Sequence, residues 1–324
     1  MATTATATEL VVGFDPRAGR SNSPAARLLR LARKKPLGFA GFGLVAAFLV
    51  MAILAPLLVP YSPTETVARP LLAPSHAHLF GTDASGDDVL SRVIAGAQIS
   101  LTISFAVVFI HLMLGTTLGM ISGYYQGTID YVIQRSGEVW SAFPGLIALL
   151  LIVSLLGTPR TTGGNLIQIG WDMRNLIFAF SIGAIFGGSR IVRGLTISLK
   201  RSDYVTAARA LGASDRRIIL RHIMPNVLPI VIVTSTASVG GVILGEAALS
   251  FLGLGVAPGT PSWGQDLSGR NRLFFREAWW MVAAPGVAIS LTVLGFNLFG
   301  DALRDLLDPR LRTGRRRAQG AKKT

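Results

Sequence analysis

Few residues in this chain of 324 can do chemistry. Three carboxylates, Asp83, Asp87 and Asp88, stand together in the string HLFGTDASGDDVLSR, and one glutamate, Glu246, lies inside the apolar run GGVILGEAALSFLG. His76 and His78 could point the same way on an extended chain, as a metal pair would, but no third ligand stands near them and a tetrahedral site needs three or four. There is no cysteine, hence no disulfide framework, no thiolate metal site and no cysteine nucleophile. The chain also has no G-x-x-x-x-G-K-[ST] phosphate loop, no H-E-x-x-H and no Ser/His/Asp grouping in a recognisable context. The expectation is a protein that is not an enzyme and does not hydrolyse ATP itself.

Glu246 is the charge within an apolar run to notice. A carboxylate at the centre of a membrane helix costs about 2.5–3.5 kcal/mol, so it must face a partner, a cavity or the helix end. It is the candidate path or gate residue, the alternative being a structural hydrogen bond near the outer boundary. His111 reads as a packed polar residue, and no acid–base chain along the apolar runs supports a proton-coupled pump.

The chain's organising stretch is Ser202 to Asn226, SDYVTAARALGASDRRIILRHIMPN, too charged to cross a bilayer. Ser202 or Asp203 can cap a first helix over about Tyr204–Leu211, and Gly212 can end it in a left-handed turn. Ser214 offers a second cap, Asp215 suits a helix N-terminus, and Pro225 with Asn226 is expected to stop the second helix at Met224. Tyr204, Ala208 and Leu211 share one face of the first helix. Ile218, Ile219 and Ile223 share a face of the second, opposite Arg217 and Arg221. A plain basic anchoring loop fits the same pattern.

The elements that must position this loop follow from composition. Half of the residues are hydrophobic, only 15% are charged and the mean hydropathy is +0.52, so the chain is an integral membrane protein. The net charge of +14 sits beside apolar runs, not between aromatic platforms, which excludes nucleic acid as the natural partner and leaves membrane lipid. Residues 1–36 read as a tail ending in the basic helix candidate Arg27–Pro36, not as a cleaved signal. Residues 37–312 read as the membrane domain, with spans over 37–58, 99–123, 138–156 (Pro144 inside), 175–191, 227–254 and 279–298, and 313–324 as a basic tail. The fourth span is rich in small residues that let helices approach closely.

Lysine and arginine collect before the first span (Arg27–Lys35), around the loop (Arg190, Arg193, Lys200, Arg201, Arg209, Arg216, Arg217, Arg221) and after the last span (Arg304–Lys323). Six spans place all three sets, and both termini, in the cytoplasm. The external segment holding Arg270, Arg272 and Arg276 is an exception to that rule.

Within the loop, Thr206-Ala207-Ala208-Arg209-Ala210-Leu211-Gly212, then nine residues, then His222-Ile223-Met224-Pro225, resembles the E-A-A-x-x-x-G loop of bacterial ABC importer permeases. Thr206 stands for the usual glutamate and His222 for the usual isoleucine. HLFGTDASGDDVLSR, GEAALSFLGLGVAPGTPSWGQDL and GDALRDLLDPRLR are similar to strings of the dipeptide/oligopeptide/nickel branch, in the same order, with Asp87 where arginine is common. The resemblance covers about Pro36–Arg312.

What it implies is an all-α integral membrane protein with the six-helix type I importer fold, placed in the bacterial inner membrane. The chain would be one of two homologous permease subunits lining a path for di- or oligopeptides. A substrate-binding protein would dock outside, at Asp83, Asp87 and Asp88. ATPase subunits, carrying ATP and magnesium, would dock inside on Thr206, Ala207, Ala208, Arg209, Ala210, Leu211 and Gly212, with Asp215, Arg217, Arg221, His222 and Pro225 as support; no cofactor or metal is expected in this chain. Nickel or another small solute is the alternative cargo within the family. A channel or secondary carrier is the alternative class, disfavoured by the lack of an inverted repeat.

Overall fold

Hydrocarbon offers no hydrogen-bond partners, so a chain crossing it must satisfy its backbone internally. The computed structural model describes residues 36–159, 165–268 and 271–307, and the apolar runs among them are helical. α1 is Pro36–Ile53, followed by the short α2, Ala55–Leu58. An irregular segment with one isolated bridge, Thr82 to Asp88, leads into α3, Val89–Ile110. A π turn over His111–Gly115 joins α3 to α4, Thr116–Tyr125. Together they form a 37-residue apolar rod that starts well before the expected Ile99. The reason is Asp88, whose carboxylate accepts from the Ser91 amide at 2.8 Å and so caps the helix at Val89.

The third expected span departs most from the sequence reading. α5, Gly127–Ser141, and α6, Gly145–Leu156, meet at an 89° bend, where a proline-tolerant helix over 138–156 was expected. Pro144 has no N–H to donate, and its ψ of 125° leaves the helical region. α6 alone, about 18 Å long, is too short for about 30 Å of hydrocarbon. Among the described residues five helices are therefore long and apolar enough to cross, and six if the bent pair counts as one span, as the expected placement of both termini on one side requires.

α7, Leu166–Asp172, is capped by Asn165 and leads into α8, Arg174–Lys200. The loop then forms α9, Asp203–Ala210, and α10, Asp215–Ile218, after which a π turn over Ile219–Ile223 runs into α11, Met224–Phe251. Pro225 does not end this helix as expected. It sits in the first turn of α11, just after the π turn, where a missing N–H costs little, so Asp215–Phe251 is one continuous 37-residue rod. α12, Trp263–Asp266, a 3₁₀ turn over Asn271–Phe274 and α13, Trp280–Leu307, complete the described chain.

Packing follows the small residues. On α4, a side chain at Gly119 would strike the Ser189 carbonyl and Val192, and one at Gly123 would strike the Arg193 carbonyl and Thr196, which is why α4 and α8 lie close. At the end away from the loop, Trp263 is fully buried among residues of α1, α3, α11 and α13, including Phe48, Val93, Ile243 and Ile289. Its indole N–H donates to the Val93 carbonyl at 2.9 Å. At the loop end a smaller cluster joins Met120, Tyr124, Val192, Val205, Ile218, Ile223, Val227 and Val231. The basic helix candidate before Pro36, both tails, Arg270 and the end of GDALRDLLDPRLR beyond Leu307 lie outside the described residues.

Candidate functional site

α9 has only eight residues, and one of them, Val205, is fully buried. Val205 seats the helix on the loop-end cluster, while Tyr204 and Leu211 stand exposed, Leu211 at 88%. The sequence reading grouped Tyr204, Ala208 and Leu211 on one face, but the residue that packs is Val205, which that grouping leaves out. In so short a helix, Val205 with Ala208 and Tyr204 with Ala208 are both helical pairs, and the side chain that fits the cluster decides. Thr206, Ala207, Arg209 and Ala210 are exposed and Ala208 is half-buried, so α9 presents a surface of small side chains ending in Leu211.

Ser202 does occupy the N-cap position, but its hydroxyl donates back to the Leu199 carbonyl at 2.6 Å, and Ser214 likewise makes no side-chain cap. The far end of α9 matches the sequence reading. Gly212 has φ +81°, its amide donates to the Arg209 carbonyl at 2.9 Å, and the Ala213 amide donates to the Ala208 carbonyl at 3.0 Å. These two bonds are the Schellman pair, which turns the chain through a fixed angle between α9 and α10.

Tyr124, at the last turn of α4, ties this loop to the membrane helices. Its hydroxyl donates to Asp215 Oδ1 at 2.5 Å and lies 3.4 Å from the Arg209 guanidinium, which donates to it. Lys200 at the end of α8 donates to the Tyr124 carbonyl at 2.5 Å, with its ammonium 5.1 Å from the ring centre. One residue thus joins α4, α8, α9 and α10. Beside it, Arg193 of α8 donates twice to Asp130 of α5, both at 2.6 Å, and Ser122 donates to the same carboxylate. Sequence reasoning missed Tyr124, Asp130 and Val205; the GYYQGTID turn was the available signal for the first two. Arg217, Arg221 and Pro225 are exposed, and His222 is half-buried, its carbonyl accepting from Asn226 at 2.7 Å.

Glu246 is 1% exposed. Ser250 donates to it at 2.8 Å, Ser262 at 3.0 Å and Ser100 at 3.3 Å, so one carboxylate joins α11, the segment before α12, and α3. Next to it, Arg92 gathers three aspartates. It donates to Asp266 through Nε at 2.8 Å and Nη2 at 2.6 Å, to Asp87 at 3.0 Å and to the Pro63 carbonyl at 3.0 Å, with Asp83 at 3.9 Å.

Burial raises the Asp266 carboxyl to about 6 against the pull of Arg92, and its Oδ2 has no hydrogen-bond partner. Burial, then the charge of Asp83, likewise raises Asp87. Asp83, Asp87 and Asp88 are 5%, 8% and 1% exposed. Their carboxylates are committed inward: Asp83 accepts from the Ser85 and Asp87 amides, and Asp88 caps α3 and bonds His78 Nδ1 at 2.9 Å. His78 is therefore bound to Asp88, while His76 is exposed. His111 is packed, its Nδ1 2.7 Å from the Ala184 carbonyl. Among the described residues no group of three or more His, Cys, Asp or Glu is placed to hold a metal ion.

Residues 115–313 match the family described as binding-protein-dependent transport system inner membrane component, and residues 23–74 match the N-terminal TM domain of oligopeptide transport permease C. The chain is 39% identical to a dipeptide transport system permease protein of Alkalihalophilus pseudofirmus, over 90% of this chain and 91% of the relative. It is 38% identical to a glutathione transport system permease protein of Pectobacterium atrosepticum, over 83% and 85%. A chain of the MetNI methionine ABC transporter in an inward-facing conformation superposes with a TM-score of 0.49 at 16% identity, covering 68% of this chain and 97% of that one.

Proposed function

The chain belongs to the family of binding-protein-dependent transport inner membrane components, and from that membership we propose that it is the permease subunit of an importer for di- or oligopeptides. The two relatives named above carry a dipeptide and glutathione, itself a peptide, which favours peptide over nickel as cargo. The chain pairs with a second permease subunit to line the path. It receives cargo from a substrate-binding protein outside and takes its driving force from ATPase subunits that hold ATP and magnesium inside.

The observation that carries the mechanism is the outward surface of α9 on a rigid elbow. Thr206, Ala207, Ala208, Arg209, Ala210 and Leu211 form the part that enters the ATPase, with Gly212 setting its angle. Small side chains allow close approach, and Leu211, at 88% exposure, offers apolar area that the isolated chain leaves uncovered. Val205 and the Tyr124 bonds to Asp215 and Arg209 carry the motion to α4 and α8. When the ATPases close on ATP they bind one arrangement of this helix more tightly, which shifts the path between outward- and inward-facing states. Arg217, Arg221, His222 and Pro225 support the loop where α10 meets α11.

On the external side, Asp83, Asp87 and Asp88 act by folding the segment on which the binding protein lands. Glu246 acts as a gate residue by tying α11 to α3 and the 262–266 segment, not by lining the path.

Because the chain has no cysteine, a single A207C or L211C variant supplies a unique thiol on this subunit. In the assembled transporter it is expected to cross-link to an ATPase subunit, with a yield that changes with nucleotide. Uptake of dipeptide that persists with no cross-link in any nucleotide state refutes the docking role.

A further inference from the structure

α8 has two faces. Gly188, Ser189, Val192 and Thr196 are buried, and this face packs against α4 and the π turn. Gly187, Arg190, Ile191 and Gly194 lie on the opposite, exposed face. The other charged side chains of the spans whose contacts are described above are bound inside the chain: Arg92 to three aspartates, Arg193 to Asp130, Lys200 to Tyr124, Glu246 to three serines. Arg190 is exposed and has no ion pair among the described residues. The sequence reading counted it with the cytoplasmic basic set around the loop, but it stands ten residues before Lys200, so about 15 Å along the helix from the loop end and within the apolar rod Arg174–Lys200.

The ground around it is bare. A side chain at Gly187 or Gly194, three residues before and four after, would meet nothing within 4 Å. An unpaired guanidinium facing hydrocarbon is costly, so such a residue belongs on a water-filled cavity or against an anion. A guanidinium flanked by glycines leaves both of its edges free for a planar, two-toothed acceptor, and a carboxylate is that acceptor.

We propose that Arg190 faces the translocation path and binds the C-terminal carboxylate of the peptide as it passes toward the cytoplasm. This rests on the peptide-importer reading above, and it adds a residue that recognises one end of the cargo.

The test uses the complete transporter, with its partner subunits and binding protein, in proteoliposomes. Transport of dialanine and of dialanine amide is compared between the wild type and R190Q at saturating binding protein. The binding protein is the same in both, so its own preference cancels in the ratio. R190Q is expected to lower the ratio of acid to amide transport about tenfold, the loss of one charge-assisted hydrogen-bonded contact, and R190K to recover part of it.

A second measurement holds if the amide is not delivered. R190C gives this cysteine-free chain one thiol, and aminoethyl methanethiosulfonate, which restores a cation there, is expected to recover dialanine transport. The anionic sulfonatoethyl reagent is not, and dialanine is expected to slow both reactions. Equal losses for acid and amide overturn the proposal, as does a thiol unreactive in every nucleotide state, which would place residue 190 against a partner subunit. A wild-type transporter that moves neither peptide refutes the peptide reading itself, independently of any variant, and the proposal falls with it.

Discussion

Replacing Gly212 with valine is the sharpest perturbation of the proposed lever. Gly212 holds φ +81°, and a side chain placed there would meet nothing within 4 Å, so the substitution creates no clash with a neighbour. What it creates is backbone strain. An L-residue in the left-handed region costs about 1–2 kcal/mol, and a β-branched one more, about 2–3 kcal/mol. The two Schellman bonds, from Gly212 and Ala213 to Arg209 and Ala208, form only at that geometry. The elbow therefore shifts away from its angle by roughly 5- to 150-fold across the series alanine to valine. Asparagine, which tolerates positive φ, lies closest to glycine.

The assay is paired: ATP hydrolysis and dipeptide uptake by the reconstituted transporter, with subunit assembly checked on a sizing column. The expected order of uptake per ATP is Gly212, then G212N, then G212A, then G212V, with assembly intact throughout. Normal coupling in G212V refutes the elbow. So does a G212N variant as impaired as G212V, because then a contact, and not the backbone angle, carries the effect.

Three further outcomes follow from the same geometry. Y124F removes the hydroxyl that joins Asp215 and Arg209; because Asp215 is exposed and water can replace it, the loss is about 1 kcal/mol, read as roughly fivefold faster amide exchange over residues 203–218 with no change in the exchange of α3. E246A strands three serine hydroxyls in a buried site and is expected to destabilise by about 2–4 kcal/mol, while E246Q, which keeps an acceptor, loses less than half of that in a detergent melt.

The third outcome concerns pH. Asp266 titrates near 6 when folded against 3.8 ordinarily, so between those values the folded chain binds the extra proton. Stability is then greatest at the acidic end and falls as pH rises through about 6, by at most roughly 3 kcal/mol. D266N removes the charge and is expected to flatten the melting temperature between pH 4 and 7; a D266N profile as steep as the wild type assigns the slope to another group.

How much of this was legible in the sequence depended on the separation of the residues involved. The long apolar runs, the left-handed turn at Gly212 and the start of a helix at Asp88 are local matters, and local chemistry predicts them. Pro144 and Pro225 are also local, yet the structure treats them differently. Both lack a donor, but Pro144 takes an extended ψ of 125° and the helix breaks there in an 89° bend. Pro225 falls two residues after a π turn that already shifts the hydrogen-bond register, in the first turn of α11, and the helix runs on. Sequence periodicity cannot see a π turn, because the extra residue leaves no residue type as its signature. The Arg92–Asp266 pair joins residues 174 apart and the Tyr124–Asp215 bond joins residues 91 apart. Those pairings are set by which helices pack together, and the serine partners of Glu246 were illegible for the same reason, since two of the three come from separate parts of the chain.

The two ends of the molecule are held by different kinds of bond, and that difference is what a lever needs. Away from the loop, α3, α11 and the 262–266 segment are joined by Trp263, by Glu246 with its serines and by Arg92 with its aspartates, all buried, so displacing one element there leaves charges or hydroxyls unpaired in an apolar setting. At the loop end, α9 is held by a single buried side chain, Val205, and by bonds from Tyr124 that water can replace. A force applied at Leu211 or Ala207 therefore moves α9 and α10 at small cost, but α10 continues without a break through the π turn into α11. Besides the part that Val205 and Tyr124 pass to α4 and α8, the displacement along α10 either tilts α11 against its buried anchor at Glu246 or is absorbed in the Ile219–Ile223 turn. Under the proposed docking of α9 on the ATPase, the choice between those two is the choice between coupled and uncoupled hydrolysis, and the π turn belongs to that proposed mechanism as much as α9 does.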